Sequence, residues 1–194
     1  MTTPTRRRAT EARREQIISA AVALLAERGC QATTFDAICE RAGLSSKRLI
    51  TYHFAGKEEL FTAIASKVVA DAEAFMRPAL DAATGARELL ITLIRANVTF
   101  MAGHLEQMKA LQQIIFNGGH AWDEHHTDSV NRLAGLFTDG QRSGAFRPCN
   151  AQVMAVTLRA ALDGVYEPLA EGIDPARCAE ELVEIFDRAT RAAG

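Results

Sequence analysis

Two short stretches with helical apolar spacing, only a few residues apart, constrain the fold of this chain more than any other feature. They cover residues 35–42 and about 46–53. Gly43 permits a tight turn between them, and Leu44 supplies an apolar side chain for the gap between the two helices. This is the layout of a helix-turn-helix, in which the second helix is left exposed.

The rest of the chain also has a helical pattern. Sustained alternation of apolar and polar residues, which would indicate strands, is nearly absent. Glycines and prolines punctuate the pattern, and Pro78 is expected to interrupt the fourth helix. Further helices are predicted at 11–28, 57–76, 86–102, 105–117, 120–142, 151–169 and 175–192. The sequence therefore predicts an all-α fold with a three-helix N-terminal domain and a larger C-terminal helical domain.

The charge is unevenly distributed along the chain. Residues 1–57 contain ten Lys and Arg against five Asp and Glu, whereas residues 58–194 contain twelve against nineteen. Chance clustering of solvated charge would look similar, but a small basic segment before an acidic body favours a polyanionic partner for that segment. We predict a domain at 1–57, with a disordered basic arm at Thr5–Arg8, and a second domain at 58–194.

Several classes of protein are disfavoured. No apolar run reaches the roughly 18–20 residues needed to span a bilayer, and no secretory signal is evident, so we expect a cytoplasmic protein without a membrane partner. The four cysteines lack a CxxC pair and are expected to be buried free thiols. No nucleophile–base pair, phosphate-binding loop or paired carboxylates indicate an enzyme, and no cofactor or metal is expected.

The second helix of the helix-turn-helix carries side chains suited to DNA. Lys47 and Arg48 are able to hold phosphates or guanine edges, and the hydroxyls of Thr51 and Tyr52 are able to bond phosphates or bases. His53 follows them. Upstream, Thr33 and Thr34 lie at a helix N-terminus, where backbone N–H groups suit a phosphate.

This segment resembles the DNA-binding module of the tetracycline-repressor (TetR) family. The matching features are Gly29, Thr33-Thr34, Ile38, Ala42-Gly43-Leu44-Ser45, Tyr52-His53-Phe54 and Lys57-Glu58-Glu59-Leu60. One extra residue near Ser45-Ser46 departs from the usual family spacing, and Thr51 stands where the family commonly has Tyr. The resemblance, with the side-chain chemistry, implies DNA contacts from Thr33, Thr34, Ser45, Ser46, Lys47, Arg48, Thr51, Tyr52, His53 and Lys57.

The resemblance also implies the remaining functions. The chain is expected to be a homodimeric transcriptional regulator, a repressor released from a palindromic double-stranded operator by a largely apolar small molecule. The ligand residues expected are Asn97, Met101, His104, Met108, Gln112, Phe116 and Trp122. Apolar stripes on the last two helices imply a dimer interface from Val156, Leu162, Val165, Leu182, Ile185 and Phe186, although packing within one chain would give the same pattern.

Two alternatives remain open at this point. The histidines and acids of residues 120–126 have a spacing that a metal ion could use on a helix, but such a stretch is more often an exposed polar helix start. The chain could also be an interaction adaptor that has kept the fold without DNA binding.

Overall fold

The computed structural model describes residues 4–117 and 123–192, and ten α-helices lie in that part of the chain. They are α1 Pro4–Ala32, α2 Phe35–Arg41, α3 Arg48–His53, α4 Lys57–Ala82, α5 Ala86–Gly103, α6 Leu105–Phe116, α7 Asp123–Arg142, α8 Ala151–Gly164, α9 Tyr166–Ala170 and α10 Pro175–Thr190. An isolated bridge joins Phe146 to Arg191, and the described residues form no strand beyond it. The all-α prediction is confirmed.

The helices belong to two compact units. One contains residues 4–68 and 106–117, and the other contains residues 69–105 and 123–192. The packing therefore does not divide between residues 57 and 58, because Leu60 and Ile64 of α4 are fully buried in the core of the first unit. The functional boundary predicted there stays a prediction.

The core of the first unit consists of the apolar faces of five helices. Apolar side chains recur every three or four residues along each helix, which places them on one side of it. The largest buried side chains are Ile17, Leu24 and Leu25 of α1, Ile38 of α2, Ile50 of α3, Leu60 and Ile64 of α4, and Ile114 of α6, joined by Phe54 after α3. The helix-turn-helix therefore rests on α1, α4 and α6.

The second unit packs α5 against α10 and α7 against α8. Fully buried Leu90 and Ile94 come from α5, and Phe137 comes from α7. Two bidentate ion pairs join α5 to α10. Arg87 Nε lies 2.6 Å from Asp187 Oδ1 and Arg95 Nε lies 2.7 Å from Glu180 Oε1.

Several predicted helix ends were wrong. Helix α1 begins at Pro4 rather than near residue 11, so the backbone of the predicted disordered arm is helical from that residue onward. Helix α4 continues through Pro78, because a proline removes one backbone hydrogen bond without ending every helix. The helix predicted at 151–169 is divided at Val165 into α8 and α9, and Pro168 in α9 has no N–H to donate to the carbonyl of Gly164.

Candidate nucleic-acid interface

The turn between α2 and α3 is a Schellman motif centred on Gly43. Gly43 has φ 61°, its N–H donates to Glu40 O at 3.2 Å, and the N–H of Leu44 donates to Cys39 O at 2.9 Å. The left-handed backbone of Gly43 strains any residue with a Cβ. Leu44 is half-buried against the core, as the sequence predicted.

A side chain from α1 completes the end of α2. Gln16 Nε2 donates to Ala42 O at 2.6 Å, and Arg13 Nη1 donates to Gln16 Oε1 at 2.8 Å. Sequence reasoning missed Gln16, because its partner is a backbone carbonyl 26 residues away that no local pattern identifies. The bond satisfies a carbonyl that the helix end leaves free, and it ties the turn to α1.

The two threonines before α2 have different roles. Thr34 is exposed and is the N-cap of α2, and its hydroxyl accepts from Ala37 N at 3.2 Å. Thr33 is fully buried, and its hydroxyl donates to Gly29 O at 2.8 Å. A buried hydroxyl cannot reach a phosphate, so the Thr33 side chain does not make the predicted DNA contact. Thr33 instead stabilises the kink that α1 has at Gly29, where the backbone is not helical.

Helix α3 begins later than expected. Ser45 and Ser46 are exposed, and the Ser46 hydroxyl accepts from Arg48 N at 3.1 Å. The helix proper then covers only Arg48–His53, so Ser45, Ser46 and Lys47 belong to the connection before it.

The outer face of α3 is polar and accessible. Arg48, Thr51 and Tyr52 are exposed, with Tyr52 at 74% of its full accessibility. They lie at positions i, i+3 and i+4, which share one face of a helix. The opposite face has Ile50, which is fully buried, and Phe54 follows it at 1% exposure. Helix α3 is therefore held against the core by its apolar side and exposes a short polar surface on the other side.

The cations near this face differ in how they are held. Lys47 Nζ lies 2.9 Å from Asp36 Oδ1 and 3.1 Å from Asp36 Oδ2. Lys57 donates to the backbone carbonyl of Cys30 and lies 5.3 Å above the ring of Phe61. Among the described residues, no hydrogen bond or ion pair engages the Arg48 guanidinium, so that group is available for a ligand.

His53 lies at the end of α3 and is half-buried. Its ring makes an edge contact with Tyr52, with 5.1 Å between centroids. Burial lowers the pKa of His53, and the nearby positive charges of Arg14 and Arg13 lower it further. Arg14 itself lies over the ring of Phe54, 4.6 Å from its centroid. Arginines of α1 thus surround the end of α3 with positive charge, which favours an anionic partner.

Comparisons with known proteins agree with this geometry. Residues 17–64 match the family described as bacterial regulatory proteins, tetR family. The HTH-type transcriptional activator FasR of Mycolicibacterium smegmatis is 33% identical over 151 residues, which are 75% of this chain and 67% of FasR. The chain belongs to the TetR family. It is a DNA-binding transcriptional regulator and not an enzyme.

Solved structures share the fold of this TetR-family regulator over nearly its whole length. A TetR-family regulator from Rhodococcus sp. has a TM-score of 0.80 at 21% identity, covering 91% of this chain and 98% of that one. The regulator FadR of Bacillus subtilis, in complex with stearoyl-CoA, has a TM-score of 0.75 at 20% identity, covering 88% and 96% of the two chains.

The predicted dimer residues of this TetR-family chain fall into two groups. Val156 of α8 and Ile185 of α10 are 48% and 57% exposed, and Val165 is half-buried. Leu162, Leu182 and Phe186 are buried within the single chain. These three side chains are covered by their own unit, and their part in an interface between two copies stays a prediction.

The predicted ligand residues are divided between the two units. In the first unit, Met108 is buried, Gln112 is half-buried and Phe116 is 79% exposed. In the second unit Met101 is buried, and Asn97 donates to Leu93 O at 2.9 Å. The Nδ1–H of His104 donates to Phe100 O at 2.7 Å, and the two rings stack. Trp122 lies outside the described residues, and the role of the set stays a prediction.

Residues 4–117 and 123–192 contain no group of three or more His, Cys, Asp or Glu side chains placed to hold a metal ion, and part of the predicted 120–126 stretch lies outside them. Among the same residues, no helix is long and apolar enough to cross a bilayer. Of the four free cysteines, Cys30 and Cys178 are buried and the other two are half-buried.

Proposed function

We propose that this TetR-family regulator binds a palindromic operator as a homodimer and that a small molecule controls this binding. The main support is the exposed face of α3, which is formed by Arg48, Thr51 and Tyr52. Its chemistry matches base edges and phosphates in the major groove. Since bacterial chromosomal DNA lies in the cytoplasm, the regulator acts there.

The roles of the side chains follow from their positions. Arg48 has no competing partner among the described residues and contacts a guanine edge or a neighbouring phosphate. Lys47, Ser45 and Ser46 lie before the helix and contact phosphates, with Thr34 at the start of α2. Burial and the positive charges of Arg14 and Arg13 lower the pKa of His53 in the free protein, and a nearby phosphate acts on this pKa in the opposite direction.

Selection of binding sites from a random pool of duplex DNA tests this proposal. We expect a two-fold symmetric sequence to be enriched. The variant Arg48→Ala should lose about 1–3 kcal/mol of binding free energy on it, with relaxed preference at one base pair per half-site. Arg177→Ala is the matched control, since it removes an exposed arginine from α10 of the second unit. No enriched sequence, or equal losses for the two variants, would overturn the proposal.

The homodimer is proposed on the exposed apolar side chains of the second unit. Val153 and Val156 of α8 lie about one turn apart and are 59% and 48% exposed, and Ile185 of α10 is 57% exposed. Large apolar side chains that a single chain leaves in water favour an interface. Ile185→Glu is expected to give monomers in analytical ultracentrifugation and to weaken operator binding. Ile173→Glu, at an isoleucine that is 43% exposed outside the helices, should leave dimers. Dimers of Ile185→Glu with full operator affinity would refute this surface.

The effector we propose is an acyl-CoA thioester, which joins an apolar acyl chain to a polar, phosphate-bearing CoA group. The support is the acyl-CoA bound to the structurally similar FadR of Bacillus subtilis. The matched relative FasR is named an activator, so the proposal is for ligand-controlled operator binding in either direction. Acyl-CoAs of increasing chain length are expected to change operator affinity by about 5–150-fold, as allosteric coupling usually does. Free CoA is the control, and an unchanged operator affinity at saturating acyl-CoA would exclude this class of effector.

A further inference from the structure

The ion pair between Lys47 and Asp36 lies on the surface that is proposed to meet DNA. Asp36 is in the first turn of α2, and Lys47 immediately precedes α3. The ammonium is shared between both carboxylate oxygens, at 2.9 and 3.1 Å. The side chains are 55% exposed for Lys47 and 76% exposed for Asp36, so both remain accessible to a third charged group.

A phosphate and Asp36 compete for the same ammonium. An exposed ion pair contributes little free energy, so a DNA phosphate is able to replace the carboxylate. The replacement leaves Asp36 as an unpaired negative charge beside a polyanion, and this charge opposes binding. Repulsion of DNA is common to any exposed carboxylate on α2, so the effect specific to Asp36 is that it holds Lys47 in the free protein.

We propose that Asp36 is a built-in competitor that lowers the affinity of this regulator for DNA by holding Lys47. The Lys47–Asp36 pair therefore raises the binding energy that a DNA site must supply before it is occupied. Because phosphate contacts are common to all sequences, the pair lowers the affinity for cognate and non-cognate DNA alike, and only sites where base contacts add to binding keep a high affinity. This inference rests on the proposed DNA contact of Lys47.

The control for Asp36 lies on the same helix. Glu40 is one turn further along α2 and exposed, and its carboxylate has no ion pair among the described residues. Asp36→Asn and Glu40→Gln remove the same charge from the same element. Any effect of net charge alone is therefore common to both variants, and only Asp36→Asn releases Lys47.

The experiment is a double-mutant cycle on DNA affinity, measured by fluorescence anisotropy with a selected duplex and with a mixed-sequence duplex of equal length. Asp36→Asn is expected to bind both duplexes about two- to fivefold more tightly than Glu40→Gln, the range of an exposed ion pair. In the Lys47→Met background the two charge removals should become equal. Thermal unfolding of each variant checks that the fold is intact.

The remaining outcomes separate the inference from the function on which it rests. If Lys47→Met binds both duplexes like the unmodified chain, the proposed DNA contact of Lys47 fails. If Lys47→Met weakens binding but Asp36→Asn equals Glu40→Gln, only the competition fails. An advantage of Asp36→Asn that persists in the Lys47→Met background would also overturn it, since simple repulsion by Asp36 would then account for the effect.

Discussion

Two glycines of α7 are expected to respond in opposite directions to the same substitution. Gly135 and Gly140 both lie in the helix, and the sequence pattern does not distinguish them. A Cβ added at Gly140 would lie 2.0 Å from Cδ2 and 2.3 Å from Cε2 of the Phe146 ring. A Cβ added at Gly135 meets nothing within 4 Å. Alanine therefore fits freely at one position and collides with a buried ring at the other.

The magnitudes follow from the surroundings of Phe146. Replacing glycine by alanine inside a helix stabilises by about 0.5–1 kcal/mol, which is the whole expected effect at Gly135. At Gly140 the ring must move, but it is only 3% exposed and packs on Phe137 with 5.9 Å between centroids. Overpacking of this kind costs roughly 3 kcal/mol at its upper end. After the gain from alanine in a helix is subtracted, we expect Gly140→Ala to lower the free energy of unfolding by about 2 kcal/mol.

Urea unfolding followed by circular dichroism measures both effects as shifts of the midpoint. The variant Phe146→Ala provides the decisive background, since it removes the ring that the new methyl group meets. There Gly140→Ala should become stabilising, as at Gly135. If Gly140→Ala stabilises the chain that retains Phe146, the close approach of helix and ring is refuted.

Three further outcomes are expected. Arg191 and Arg87 hold the pKa of Asp187 below its usual range in the folded chain. The two ion pairs therefore stabilise the fold fully above the unfolded pKa of about 3.9, and this stabilisation is lost as the pH falls through the lower pKa of the folded state. Asp187→Asn should flatten that pH dependence of the urea midpoint, and an unchanged profile would contradict the pairing. Thr34→Ala should lose about 1 kcal/mol of stability, and Thr34→Ser should retain it in the same urea assay, because only alanine removes the cap of α2. Arg14→Gln should raise the pKa of His53 in an NMR titration, because one of the charges that oppose protonation is removed, and an unshifted titration would exclude that effect.

The helix-turn-helix was predictable because its determinants are local. Gly43 permits the left-handed turn, Thr34 caps α2, and Ile38 and Ile50 face the core at helical spacing. Each of these effects operates within about one helical turn of sequence. Residue order alone is enough to indicate such a motif, and the match to the family followed from the same residues.

The burial of individual residues at the predicted dimer and DNA surfaces was not predictable from the sequence. Ile185 and Phe186 are neighbours in sequence, yet one is 57% exposed and the other 3%. A periodic pattern identifies an apolar stripe but not the edge at which a neighbouring helix stops covering it. Thr33 shows a different limit, because its partner Gly29 is only four residues away, yet the sequence does not reveal that the hydroxyl is buried and donates inward.

The sequence by itself determined that this chain is helical, that residues 35–53 form a helix-turn-helix and that the second helix of this motif carries DNA-binding chemistry. Only the tertiary structure decided which cation is free and which is held. Arg48 is unpaired among the described residues, Lys47 is paired with Asp36, and Lys57 is bonded to Cys30 O. The reason is physical: helix formation depends on neighbours in sequence, whereas the partner of a long charged side chain depends on which backbone and carboxylate groups folding brings within about 3–4 Å of it.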